Sequence, residues 1–266
     1  MDPAVNNWLQ LVFRWIHVLA GVTWIGHLYF FNWVNAHFAK TLEAETKKKV
    51  VPELMPRALY WFRWGAAWTW ITGVLLLGLI YYMSAGASES GERLYILFED
   101  QVGSIGVGLA VLLIGIFAAF IYDVIMRSIA NVLAANTVSL ILFAGVYLLM
   151  AFWGNFSGRA LFIHTGAFFG TAMALNVWMR IWPAQKRIIT ATREGTAPDA
   201  KDVALAGLRS RHNTFMSVPL LFFMVSNHYP TVYGSDLRHF YVAMFIAIGF
   251  LATRLIYNKS AKVAGF

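Results

Sequence analysis

Seven runs of apolar residues, about 8–36, 62–83, 103–123, 131–153, 160–182, 213–228 and 239–257, alternate along the chain with polar segments that carry most of its charge. A helix needs about 20 apolar residues to cross a ~30 Å hydrocarbon core, and in lipid it must satisfy its own backbone. The pattern predicts an all-α fold: one domain over 1–266, a polytopic helical bundle of about seven transmembrane helices in a lipid bilayer. The sixth run is the shortest and holds Pro219, which removes a backbone donor. A kinked or partly unwound span is expected there. No repeat relates the two halves.

Composition agrees with the pattern. The chain is 59% hydrophobic and 13% charged, whereas soluble domains run at about 45–50% and 25%. Cysteine is absent, which removes disulfides, thiolate metal sites and covalently attached c-type haem from this chain. The net charge of +8 does not point to nucleic acid, because the basic residues lie between apolar spans. Fourteen Lys and Arg fall in segments on one side, and only Arg93, Arg159 and Arg238 in segments on the other. The positive-inside rule then sets the N-terminus in the periplasm and the C-terminus in the cytoplasm of a bacterial inner membrane. Residues 38–57 read as a basic interfacial segment. Within 183–212, Asp199 is placed to cap a short helix with Asp202 at its third position.

Ionisable groups are costly at membrane depth, so the histidines are informative. His17, His164, His228 and His239 lie toward the outer side; His27, His37 and His212 lie toward the inner. At ~1.5 Å per residue His17 sits about 13 Å below the start of the first span, with His164 also in the outer half. Gly21 shares the face of His17, and Arg14 lies one turn above it. Imidazoles from the first and fifth spans, small neighbours such as Gly21 and an arginine near the surface suit a b-type haem: His17 and His164 on iron, Arg14 at the propionates. The other reading stands beside it, in which these histidines bond neighbouring helices and Arg14 snorkels to the headgroups. His17 and His27, about 15 Å apart along one helix, cannot share an iron.

A second polar group closes the sixth span. Asn227, His228 and Tyr229, in "SNHYP", lie on the same side as Asn155, Arg159, Arg238 and His239. Amide, imidazole, phenol and guanidinium together suit a planar, anionic, hydrogen-bonding small molecule; a capped helix end with an interfacial Tyr is the alternative. "RSRHN", Arg209 to Asn213, reads as a membrane boundary. The aromatics Tyr60 to Trp70 read as an interfacial belt, Asp123 and Arg127 as a local pair, and Asn176 as a polar intruder.

"NNWLQLVFRWIHVLAGVTWIGHLYFFNWVN" and "RHNTFMSVPLLFFMVSNHYP" resemble the membrane domain of the bacterial urate oxidases that carry a C-terminal cytochrome c domain. The likeness extends over essentially the whole chain, and the second motif is the more specific. It implies urate oxidised to 5-hydroxyisourate, with electrons passing to cytochrome c rather than oxygen. Family members continue through an eighth span into a c-type haem domain; this sequence stops at Phe266 and has no cysteine. Electrons are therefore expected to leave by b haem to a separate cytochrome c, a quinone or another electron-transfer subunit. The competing expectation is a non-catalytic or electron-relay, haem-binding subunit of a larger respiratory or dehydrogenase membrane complex. Asn227, His228 and Tyr229 are the substrate-side residues on the first of these readings.

Overall fold

The computed structural model describes residues 2–83, 85–87, 93–99 and 103–263. The elements are α1 (Pro3–Tyr29), α2 (Ala36–Thr41), α3 (Ala44–Leu77), β1 (Ala85–Ala87), β2 (Arg93–Tyr95), α4 (Ile105–Ser128), α5 (Val132–Leu148), α6 (Gly158–Leu175), α7 (Trp182–Glu194), α8 (Ala200–Ser226), α9 (Pro230–Tyr233) and α10 (Arg238–Ser260). β1 and β2 form a three-residue antiparallel pair; the side chain of Arg93 lies outside the described residues. Everything else of regular structure is helical.

Among the described residues, six helical stretches are long and apolar enough to cross a bilayer: Pro3–Thr41, Ala44–Tyr82, Ile105–Ser128, Val132–Trp153, Gly158–Glu194 and Arg238–Ser260. The chain is thus a helical, multi-span protein with six such stretches where the sequence predicted seven. The difference lies in the sixth apolar run. Residues 213–226 are not a separate short helix but the second half of α8, which begins among Lys201, Asp202, Arg209 and Arg211. Asp199 does precede this helix and accepts from the Lys201 N–H at 2.8 Å. Nor is α8 unwound at Pro219. It stays helical, and the proline ring rests on α10, where a Cβ at Gly249 would come within 2.8 Å of it. The basic residues 44–57 are likewise helical, as the first turns of α3.

The side chains are arranged as lipid requires. Along α1, Trp8, Leu11, Trp15, Val18, Leu19 and Val22 make an exposed stripe at helical spacing. On α4 the large residues Leu109, Leu113, Phe117, Phe120 and Val124 are exposed, while Gly108, Gly115, Ala118, Ala119 and Asp123 are buried. Small residues inside and bulky apolar ones outside are the packing rule of membrane helices. The Gly158–Glu194 stretch is the best shielded, with 72% of its most apolar window buried against 17% for the stretches containing α1, α5 and α10.

Two compact units divide the residues. The first comprises Met1–Arg14, Gly73–Ala172 and Leu220–Phe245; the second comprises Trp15–Thr72, Met173–Pro219 and Ile246–Phe266. In the first, α4 packs along α5, and Phe168 sits among Ala118, Val146 and Phe143. In the second, α1 meets α3 so closely that a Cβ on Gly65 would lie 3.0 Å from the Trp24 backbone nitrogen. Four helices pass through π-helical segments, Phe30–Asn35, Gly78–Tyr82, Leu149–Trp153 and Asn176–Ile181. One extra residue per turn breaks the 3.6-residue register, and such insertions concentrate where side chains must be re-aimed.

Outside the spans, α7 ends at Gly195 (φ 76°), in the left-handed conformation that glycine adopts freely. The chain then turns into α8, and Asp202 takes two hydrogen bonds from the Arg187 guanidinium of α7. The hydrogen bond and charge of Arg187 hold the Asp202 carboxyl below its ordinary range. A carboxyl lowered in the folded state contributes fully above its ordinary pKa, and that contribution fades as pH falls through the lowered value. Proteolysis of the 195–199 connection should therefore quicken only in that acid window. Arg187→Gln should remove the pH dependence; a variant cut with the wild-type pH profile would show that the pair does not hold α7 to α8.

Candidate functional site

The first unit gathers its polar side chains around the end of α8. The last turn of α8 brings out Asn227, whose Oδ1 accepts from the Tyr81 hydroxyl at 2.9 Å and from Arg159 Nε at 3.3 Å. Its amide nitrogen donates to the Phe223 carbonyl at 3.4 Å. Tyr81 comes from the π segment 78–82 and Arg159 from the first turn of α6. The neighbouring Tyr82 reaches α6 too: its hydroxyl meets His164 Nε2 at 3.0 Å. Consecutive residues of an α-helix diverge by about 100°; here both tyrosines turn into the same unit, and the π segment is what permits it.

His164 is 3% exposed. Nδ1 lies 2.8 Å from the Ala160 carbonyl, which has no proton to give, so in the neutral ring Nδ1 carries the hydrogen and Nε2 accepts from Tyr82. The edges of Tyr81 and Phe156 close on the ring, with centroids 5.4 and 5.0 Å away. Phe156 is held by a ladder: it bridges to Phe98, Ser157 N–H donates to the Leu97 carbonyl, and Ser157 Oγ to the Ile96 carbonyl. Asn155, at φ 48°, makes the turn that delivers them.

In the second unit, His17 is half-buried against α3. Thr72 Oγ1 lies 3.1 Å from Nδ1 and donates its own proton to the Trp68 carbonyl at 2.6 Å. The ring therefore gives Nδ1–H to Thr72 and keeps its lone pair at Nε2. An imidazole oriented at one nitrogen and available at the other has the form of a metal ligand. Gly21 faces Thr69, where a Cβ would find ordinary contact at 3.8 Å, so that glycine is not imposed by a close approach. His164 differs from His17, because its own Nε2 is occupied by Tyr82. As donors to iron, the two predicted ligands are thus unequal: His17 fits as it stands, and His164 fits only with the Tyr82 hydroxyl displaced. Among the described residues no group of three His, Asp or Glu is placed to hold a metal ion.

The remaining predicted residues disperse. His228 and Tyr229 are exposed, the latter by 55%, and their backbone forms the turn from α8 into α9. Arg238 pairs with Glu99 at 3.1 Å, and His239 bonds the Tyr147 hydroxyl at 2.7 Å. Arg14 is exposed in the first unit, near enough for its charge to act on Tyr81. Of the substrate-side trio only Asn227 is turned inward. Tyr81 and Tyr82 were not anticipated; their signal is an adjacent pair of phenols ending an apolar run.

A second polar cluster lies wholly in the second unit. Arg209 is 0% exposed, and its Nη1 donates to Asn176 Oδ1 at 3.2 Å. Asn176 Nδ2 donates to Asn213 Oδ1 at 2.8 Å, and Asn213 Nδ2 to the Met173 carbonyl at 3.0 Å. Within "RSRHN", Arg209 and Asn213 are both buried, where the π segment 176–181 that follows α6 brings Asn176 to meet them. Nearby on α8, Ser217 meets the Tyr29 hydroxyl at 3.0 Å and Ser210 takes the Asn32 amide at 2.8 Å.

A family model described as urate oxidase N-terminal matches residues 3–50 and 44–265. No curated protein and no solved structure matches the chain.

Proposed function

Because the chain belongs to the urate oxidase N-terminal family, we propose that it is a membrane-bound redox protein that takes electrons from a urate-type purine and passes them to a separate carrier. Urate and water give 5-hydroxyisourate, two electrons and two protons, so two equivalents of a one-electron carrier such as cytochrome c balance each turnover. The observation that carries this reading is the cluster of guanidinium, phenol, amide and imidazole formed by Arg159, Tyr81, Asn227, Tyr82 and His164 within one unit. Few other groups in an apolar bundle are equipped to bind a polar heterocycle. The Lys and Arg asymmetry supports a periplasmic N-terminus in a bacterial inner membrane.

Each residue has a definite task in this scheme. Arg159 binds, Tyr81 and Asn227 orient it, and His164 holds its proton at Nδ1 while keeping Nε2 as an acceptor for Tyr82. A b haem would be held by His17 Nε2, with Thr72 fixing the ring, and would supply one-electron redox chemistry.

Purified protein given urate and cytochrome c, or a quinone, should bleach the urate absorbance and reduce two one-electron equivalents per urate. Failure of both with every acceptor supplied sinks the proposal. Reduced-minus-oxidised spectra should show b-haem bands that vanish in His17→Ala; bands that persist there remove His17 as the ligand. Bands lost in His164→Ala but kept in Tyr82→Phe would mark His164 as a haem ligand in its own right.

A further inference from the structure

Asn227 spends most of its hydrogen-bonding capacity inside the cluster. Its carboxamide oxygen takes two donors and its nitrogen is given to the Phe223 carbonyl, which makes it a residue that holds others. What it holds is Arg159. The guanidinium is tied at Nε, and the backbone one residue earlier is fixed because the Tyr233 carbonyl closes on Gly158, where any Cβ would overlap it. Nε is anchored on Asn227 and the guanidinium also reaches the Tyr81 hydroxyl, so its planar fork of N–H groups is held in one orientation with donors to spare for a ligand.

The charge around this fork is unbalanced. Among the described residues no carboxylate pairs with Arg159, and Glu99 is engaged by Arg238. Arg14 is a second cation close enough for its charge to act on Tyr81 beside it. A half-buried guanidinium with no carboxylate against it among the described residues favours an anion, and a planar fork favours an anion whose charge is spread over a planar edge. We propose, resting on the redox reading above, that Arg159 is the substrate clamp. Its planar fork takes the O–C–N edge of a planar lactam monoanion, a deprotonated oxopurine, while Asn227 and Tyr81 are positioning residues that aim it.

The test is equilibrium binding to purified full chain in detergent, read by quenching of the native tryptophans, with urate as the anionic probe and xanthine, mostly neutral near pH 7, as the uncharged one. A hydrogen bond to a charged group contributes about 1.5–3 kcal/mol, so Arg159→Lys, which keeps the charge and loses the fork, should weaken urate binding roughly 10- to 100-fold. Xanthine binding should change less than about twofold, since it lacks the charge. Asn227→Ala should weaken urate binding several-fold, and the double variant should lose little beyond Arg159→Lys, because the two act through one guanidinium. Equal losses for urate and xanthine, or additive losses in the double variant, overturn the clamp. So does unchanged urate binding in Arg159→Lys, and if the wild type still oxidises urate the redox reading survives that result. Selective loss of urate binding in a protein that never oxidises urate has the opposite meaning: the clamp stands and the redox reading falls.

Discussion

Replacing Gly158 by alanine should leave little folded protein to purify. The added Cβ would overlap the carbonyl oxygen of Tyr233 and lie 2.9 Å from its carbonyl carbon, both backbone atoms of the short helix α9. A crowded side chain can rotate away; a carbonyl in a helical turn cannot. Relief requires moving α9 or the start of α6. Either shift pulls at Arg238, whose Cδ would sit 3.3 Å from the same methyl and whose guanidinium holds Glu99. Overpacking of this kind costs about 1–3 kcal/mol where side chains absorb it, and more is expected where backbone must. Gly26→Ala and Gly145→Ala are the controls, since nothing lies within 4 Å of either Cβ. Size-exclusion profiles of the three variants in detergent decide the matter. A monodisperse Gly158→Ala of wild-type thermal stability would show that α9 is free to move.

How much of this was legible beforehand depended on which physical signal carried it. Hydropathy places a span within a few residues, because lipid tests every residue in the run, and five of the seven runs fall inside long apolar helices. The first run lies in Pro3–Thr41 as well. Only the sixth misled. Its apolar length is real, but a helix ends where capping and turn chemistry end it, and nothing between Asp199 and Ser226 supplies a stop. Pro219 looked like one. The structure shows that a proline can be kept inside a helix when the facing position is a glycine, and from sequence alone Pro219 gives no hint that its neighbour is Gly249.

The site was legible only in part, and for a different reason. Reading faces at 100° per residue assumes an unbroken α-helix, and four helices break that register. Tyr81, Tyr82 and Asn176 all belong to π segments, so no α-helical face could have grouped them with Asn227, His164 or Arg209. His228 and Tyr229 failed in another way. They sit beyond the last turn of α8, where the chain has left helical geometry, and adjacency to Asn227 in sequence says nothing about direction. Arg159 and Asn227 were picked out as polar residues on one side of the membrane, and the structure joins them at 3.3 Å.

Asn213→Ala should cost far more than Arg211→Ala, although the two residues are neighbours but one in the same motif. Arg211 is exposed, with its guanidinium 5.9 Å from the Tyr257 ring; a cation–π contact at such a site contributes about 0.5–1 kcal/mol. Asn213 is 0% exposed and links two buried partners. Its loss takes the Asn213 acceptor from Asn176 Nδ2 and the Asn213 donor from the Met173 carbonyl. Each buried group left unsatisfied costs about 1–3 kcal/mol, so the total is on the order of 2–5 kcal/mol. Asn176 also orients the oxygen that receives Arg209, and a buried guanidinium tolerates poor geometry badly. Thermal denaturation of the two variants in the same detergent separates the cases. Similar small shifts would mean that water enters the second unit at Asn213 and replaces both hydrogen bonds, and the network would then be a wet site rather than a structural one.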